Sequence, residues 1–133
     1  MQKKVSDIQT NGEFIKIARE NLDQENWDYL MGGGESETTL LRNRQSIDSL
    51  AFRPRVMRNV VNIDTSTEFL GSKLRIPVFL APIGSLQRFT ERGGITTSSA
   101  AHDFGIPAFI SSVTKPDVRE IREATNGDLF FQL

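Results

Sequence analysis

Val78-Phe79-Leu80-Ala81-Pro82, the small-residue run Gly94 to Phe104, Ala108-Phe109-Ile110-Ser111, the stretch Thr114 to Thr125 and Leu129-Phe130-Phe131-Gln132-Leu133 decide how this chain reads. The first apolar run has no polar alternation, as expected of a strand covered on both faces in a parallel sheet. Pro82 closes it. Gly94 to Phe104, carrying Thr96, Thr97, Ser98, Ser99, Ala100 and Ala101, reads as a helix with Gly105 placed for a left-handed C-cap. A second strand follows at Ala108 to Ser111. Thr114-Lys115-Pro116-Asp117 reads as a helix start, with Thr114 as N-cap, an acidic group three residues on and proline in the first turn. Val118, Ile121 and Thr125 continue its stripe, Asn126-Gly127 ends it, and Leu129 to Leu133 is the third strand. Three strands alternating with two helices predict adjacent parallel strands in sequential order with right-handed crossovers.

Upstream of this run the texture is more polar. Ile8, Phe14, Ile15, Ile17, Ala18 and Leu22 have helical spacing, with Thr10 or Asn11 as cap. A short helix through Trp27-Asp28-Tyr29-Leu30-Met31 must stop at Gly32-Gly33-Gly34, since glycine carries the largest entropy cost in a helix. Thr38 to Ile47 reads as a third helix with Leu40, Leu41 and Ile47 facing inward. Arg53-Pro54-Arg55 forces extended chain. Thr65 to Ile76 reads as a hairpin turning at Gly71-Ser72. The expected organisation is α/β, with a helical extension plus hairpin over residues 1–77 and the parallel βαβαβ segment over 78–133.

With 133 residues the chain has the length of one domain. A hydrophobic share of 38% and a net charge of -1 place it among globular proteins and leave no global field to attract nucleic acid or an anionic membrane. The absence of cysteine excludes disulfides, thiolate metal sites and a thiol nucleophile. No apolar run has signal-peptide or membrane-span length, so the expectation is a soluble, cytoplasmic chain with neither nucleic acid nor membrane as partner.

In parallel α/β folds ligands sit at the carboxyl ends of the strands. Those ends carry Ala81-Pro82-Ile83-Gly84, Ser111-Ser112 and Gln132. Gly84 allows close backbone approach, Ser111 offers a hydroxyl, and Gln132 offers a donor and an acceptor from one amide. These features match the pyrimidine edge of a flavin. Glycine and serine also serve simply as turn formers. Gln132 among Phe130, Phe131 and Leu133 is harder to dismiss, because a buried amide without partners is costly.

Trp27-Asp28-Tyr29 before Gly32-Gly33-Gly34-Glu35, Thr39-Leu40, Arg42-Asn43-Arg44, Phe52-Arg53-Pro54-Arg55, Asp64-Thr65-Ser66 and Leu70-Gly71 occur in one order with Leu80-Ala81-Pro82-Ile83-Gly84, Ala100-Ala101, Ile110-Ser111-Ser112 and Phe130-Phe131-Gln132-Leu133. Each motif is weak singly. The ordered set, from about Ile15 to the end, resembles the FMN-dependent α-hydroxy-acid oxidases and dehydrogenases. The resemblance implies a helical extension and hairpin followed by the first three strands of a (β/α)8 TIM barrel, FMN as cofactor, and oxidation of a small 2-hydroxy acid to the 2-oxo acid with a hydride equivalent passing to the flavin. It further implies that Pro82, Ile83 and Gly84 run along the flavin, that Ser111 and Gln132 hydrogen-bond it, and that Tyr29 holds the substrate carboxylate. A homo-oligomeric parent is expected. The stretch Glu91-Arg92-Gly93-Gly94 and Ser99 depart from the family pattern.

The resemblance places the family's catalytic histidine, lysine and arginine in later strands, so the chain reads as a truncated barrel, inactive alone. Two rivals are a non-catalytic half-barrel binding or assembly module and another FMN barrel such as type 2 isopentenyl diphosphate isomerase. Ser98, His102 and Asp103 do not read as a triad, because a histidine in the last turn of a helix is explained by the dipole. Arg42, Arg44, Arg53, Arg55 and Arg58, without an interleaved aromatic platform, read as a solvated or salt-bridged face.

Overall fold

A computed structural model of the chain describes residues 7–133. Its contacts divide it into two compact units, with the boundary between Met57 and Arg58.

The first unit holds three helices. Helix α1 (Asn11–Asn21) is capped by Thr10, whose hydroxyl accepts from the Glu13 N–H at 3.3 Å while the Glu13 carboxylate accepts from the Thr10 N–H at 3.1 Å. This reciprocal box satisfies two orphan donors of the first turn. Helix α2 (Gln24–Met31) starts at Asp23, which accepts from the Asn26 N–H at 2.8 Å, and stops at Gly32 as the glycine run predicts. Helix α3 (Thr38–Asp48) follows. The inward-facing stripe expected of α3 is not found: Leu40, Leu41 and Ile47 are exposed. None of the three helices contributes a buried residue, so this unit offers no core for that stripe to join.

The second unit opens with a hairpin, β1 (Thr67–Phe69) and β2 (Ser72–Leu74), antiparallel with Thr67 opposite Leu74. The turn falls at Leu70-Gly71, one residue before the expected Gly71-Ser72, because Ser72 pairs with Phe69; Leu70 and Gly71 both have positive φ, the mirror-image turn that suits the strand twist. The sequence reading groups this hairpin with the helical extension, whereas its contacts lie with the residues that follow it. Leu74 is fully buried, the Arg75 N–H donates to the Gly105 carbonyl at 2.8 Å, and the Phe69 ring meets those of Phe79 and Phe130 edge-on at 4.9 and 5.9 Å.

Helix α4 (Gly94–Phe104) ends at Gly105 in the left-handed region, as the sequence predicts. Strands β3 (Ala108–Ser111) and β4 (Leu129–Gln132) are parallel, paired from Ala108 with Leu129 to Ser111 with Gln132. The expected strand over Val78 to Ala81 contracts to one parallel bridge, Leu80 opposite Ala108, with the Phe109 N–H donating to the Leu80 carbonyl at 2.9 Å. Pro77 and Pro82 remove ladder donors on both sides, and the Val78 N–H is taken by the Ile76 carbonyl. Order and direction are those expected.

Helix α5 (Val118–Ala124) is capped by Asp117 rather than Thr114. The Asp117 carboxylate accepts from the N–H groups of Arg119 and Glu120 at 2.9 and 3.0 Å, and Thr114 is buried three residues upstream in a different role. Ala101, Ala108, Ile110 and Ile121 form the core, with Leu80, Ile95, Ile106 and Leu129 packed around it. Strand alternation sends Ala108 and Ile110 to that core and Phe109 to the opposite face. There Phe109 stacks on Phe130 at 5.0 Å and meets Phe79 at 5.8 Å. Among the described residues no helix is long and apolar enough to cross a membrane.

Candidate functional site

At the carboxyl ends of the parallel segments, Phe79, Ala81, Pro82, Phe109, Phe131 and Gln132 line an open groove of about 510 Å³. That volume lies within the range that takes a small organic ligand. Aromatic and apolar side chains dominate the lining, and one carboxamide stands among them, which suits a flat, partly polar ring system. None of the lining residues is titratable, so the groove can bind and orient but holds no acid or base of its own.

Pro82 and Gln132 are thus brought together by parallel pairing, although they lie fifty residues apart in the chain. The Gln132 carbonyl accepts from the Ser112 N–H at 3.0 Å, tying the end of β4 to the loop after β3. Its carboxamide has no hydrogen-bond partner among the described residues, and Gln132 is exposed rather than buried as the sequence suggested. Standing at the rim of the groove, the amide keeps its water and carries no burial penalty.

Gly84 and Ser111 form a second close approach. A Cβ on Gly84 would lie 2.8 Å from Val113 Cγ2 and 4.0 Å from Ser111 Oγ, so only glycine lets the two loops pass at this distance. Ser111 is buried, its hydroxyl accepting from the Val113 N–H at 3.4 Å and its carbonyl from the Thr114 N–H at 3.1 Å. The Ile83 carbonyl accepts from the buried Thr114 hydroxyl at 2.5 Å. Pro82, Ile83, Gly84, Ser111 and Gln132 therefore all lie at one end of the sheet. Tyr29 belongs to the first unit, on α2, where it is exposed.

Thr114, which does not line the groove, is a residue that the sequence reading assigned to a helix start. Its local pattern fits an N-cap, and only the contact with Ile83, thirty-one residues away, reveals its place. The discounted triad is equally absent in three dimensions. Ser98 is buried with its hydroxyl donating to the Gly94 carbonyl at 2.8 Å. His102 lines a cavity of about 230 Å³ with Ile106, Pro107, Gly127 and Asp128, at the amino ends of β3 and β4, away from the groove. Within the basic cluster Arg44 pairs with Asp48 one turn on; this contact raises the Arg44 pKa and lowers that of Asp48.

Residues 18–133 match the family model for FMN-dependent dehydrogenases. The chain is 32% identical over 126 residues to an L-lactate dehydrogenase of Haemophilus influenzae (strain PittEE), covering 95% of this chain and 33% of that protein. It is 34% identical over the same length to an L-lactate dehydrogenase of Allorhizobium ampelinum. The chain thus spans about one third of the length of the curated relatives it matches. Among solved structures it superposes on mandelate oxidase with a TM-score of 0.87 at 28% identity, over 92% of this chain and 35% of that one. It superposes on a soluble mutant of the membrane-associated (S)-mandelate dehydrogenase from Pseudomonas putida with a TM-score of 0.86 at 28% identity, over 92% and 35% of the two chains.

Proposed function

The chain belongs to the FMN-dependent dehydrogenase family, and from that premise we propose that it forms the first three-strand segment of a TIM barrel, preceded by a helical extension, in an FMN-dependent oxidoreductase that converts a small 2-hydroxy acid to the 2-oxo acid. The observation that carries this reading is the groove at the carboxyl ends of the parallel segments, where Pro82 and Gln132 meet beside Gly84 and Ser111. The relatives named as lactate dehydrogenases and mandelate oxidases support the substrate class.

FMN fits the residues present. Phe79 and Phe109 give its ring an apolar surface, and Gln132 presents one donor and one acceptor to the pyrimidine edge. When bound, FMN supplies the acceptor for the hydride equivalent that leaves the α-carbon of the hydroxy acid. Pro82, Ile83 and Gly84 bind along the cofactor, and Ser111 and Gln132 orient it by hydrogen bonding. Tyr29 is assigned to the substrate carboxylate, which a phenol hydroxyl suits as a neutral donor.

Titration of the purified chain with FMN, followed by quenching of flavin fluorescence, tests the reading. Saturable one-to-one binding that Gln132→Leu weakens is the expected result. No binding to a folded chain would overturn it and favour a non-catalytic assembly module.

A further inference from the structure

We propose that Thr114 is a positioning residue for the cofactor-facing loop, its hydroxyl holding the Ile83 carbonyl and thereby setting the Gly84 peptide against Ser111. The inference rests on the flavin reading of the groove.

Thr114 is buried, and its contacts reach three separate elements. Its Oγ1 donates to the Ile83 carbonyl at 2.5 Å, its N–H donates to the Ser111 carbonyl at 3.1 Å, and its methyl occupies space left by Gly94, where a Cβ would lie 2.8 Å from Thr114 Cγ2. The next residue continues the junction. The Lys115 carbonyl accepts from the Gly94 N–H at 2.9 Å, and the Lys115 N–H donates to Gln87 Oε1 at 2.9 Å. The loop after β3 is thereby fastened to the start of α4 and to the segment after Pro82.

The peptide bond is planar and trans, so a carbonyl and the following N–H point in opposite directions and turn together. A bond that fixes the Ile83 carbonyl toward Thr114 fixes the Gly84 N–H away from it. Among the described residues the Gly84 N–H has no acceptor, while the Ser85 N–H donates to the Val113 carbonyl at 3.3 Å. Thr114 thus aims one backbone donor without itself lining the groove. No other hydroxyl among the described residues is bonded to the Ile83 carbonyl, so removing it frees the peptide to rotate.

Thr114→Val keeps the shape and the methyl but deletes the hydroxyl, and Thr114→Ser keeps the hydroxyl. Thr125→Val serves as a matched control, since Thr125 is also buried and its hydroxyl accepts from the Gly127 N–H at 3.2 Å, in the turn before the amino end of β4. In the whole chain, Thr114→Val is expected to weaken FMN binding about tenfold, the upper end of what one lost hydrogen bond gives. Amide exchange at Ser85 should quicken by a similar factor, with exchange at Phe109 and Ile110 unchanged. Thr114→Ser should restore both, and Thr125→Val should move neither. Unchanged exchange at Ser85 in Thr114→Val overturns the proposal whatever FMN does. Faster exchange with unchanged FMN affinity also overturns it and leaves the flavin reading intact. A folded wild-type chain that binds no FMN overturns both.

Discussion

Gln132 and Gly93 are single residues whose chemistry can be tested directly. The Gln132 carboxamide lines the groove with no hydrogen-bond partner among the described residues, so a pyrimidine edge bound as proposed would gain a donor and an acceptor there. Gln132→Leu keeps the approximate size and deletes both polar atoms. We expect FMN affinity to fall by roughly 0.5–1.5 kcal/mol, the net value of an ordinary hydrogen bond. A hydrogen bond to that edge strengthens as negative charge builds on reduction, so the same variant should also lower the flavin midpoint potential. An unchanged potential and affinity would reduce Gln132 to a packing residue. Gly93 is a residue of a different kind. Its φ is +47°, and a Cβ there would lie 1.9 Å from the Lys115 carbonyl oxygen, which already accepts from the Gly94 N–H. Gly93→Ala should destabilise the second unit by more than about 1–3 kcal/mol, the cost of the backbone conformation before the clash is added. Urea denaturation with a midpoint equal to wild type would contradict this.

Among the elements, the helix starts separate what local sequence encodes from what packing overrides. Thr10 with Glu13 and Gly105 after Phe104 fall where their residue types predict, because a cap is a contact between near neighbours. Thr114 breaks the rule: its hydroxyl is claimed by Ile83, and the cap passes to Asp117. The Glu120 and Arg119 N–H groups bonded to Asp117, the former more strongly, hold its carboxyl below its ordinary value of 3.8, against the opposing pull of desolvation. A carboxyl with a depressed folded-state pKa stabilises the fold above its unfolded pKa, and that contribution is lost as pH falls through the folded value. Asp117→Asn retains an acceptor without the charge. The thermal midpoint of wild type should therefore exceed that of the variant at neutral pH, and the gap should narrow as pH drops below 3.8. A gap independent of pH would show that the charge contributes nothing at this helix start.

At the scale of the whole molecule, the two ends of the parallel strands differ in what lines them. The one histidine, His102, lies at the amino ends of the strands, and the groove at the carboxyl ends is lined only by residues that do not titrate. Removing the hydroxyl proton of a 2-hydroxy acid needs a base within hydrogen-bond reach. We therefore expect the 133-residue chain to bind FMN without turning over lactate or mandelate. Bleaching of the flavin by either acid under anaerobic conditions would refute this.

By itself the sequence determined the alternation of strands and helices after Pro77, the presence of a hairpin though not its exact turn, the family and its cofactor, since period, turn chemistry and ordered motifs are written in neighbouring residues. Only the tertiary structure decided that Val78 to Ala81 pairs through Leu80 alone, that the hairpin packs with the parallel segment, that α3 keeps its apolar residues exposed, and that Thr114 serves Ile83 instead of capping a helix. Each of these depends on which donor, acceptor or apolar face arrives from a distant part of the chain. Such partners become neighbours only when parallel pairing brings the strand ends together, and no local pattern can anticipate the competition among them.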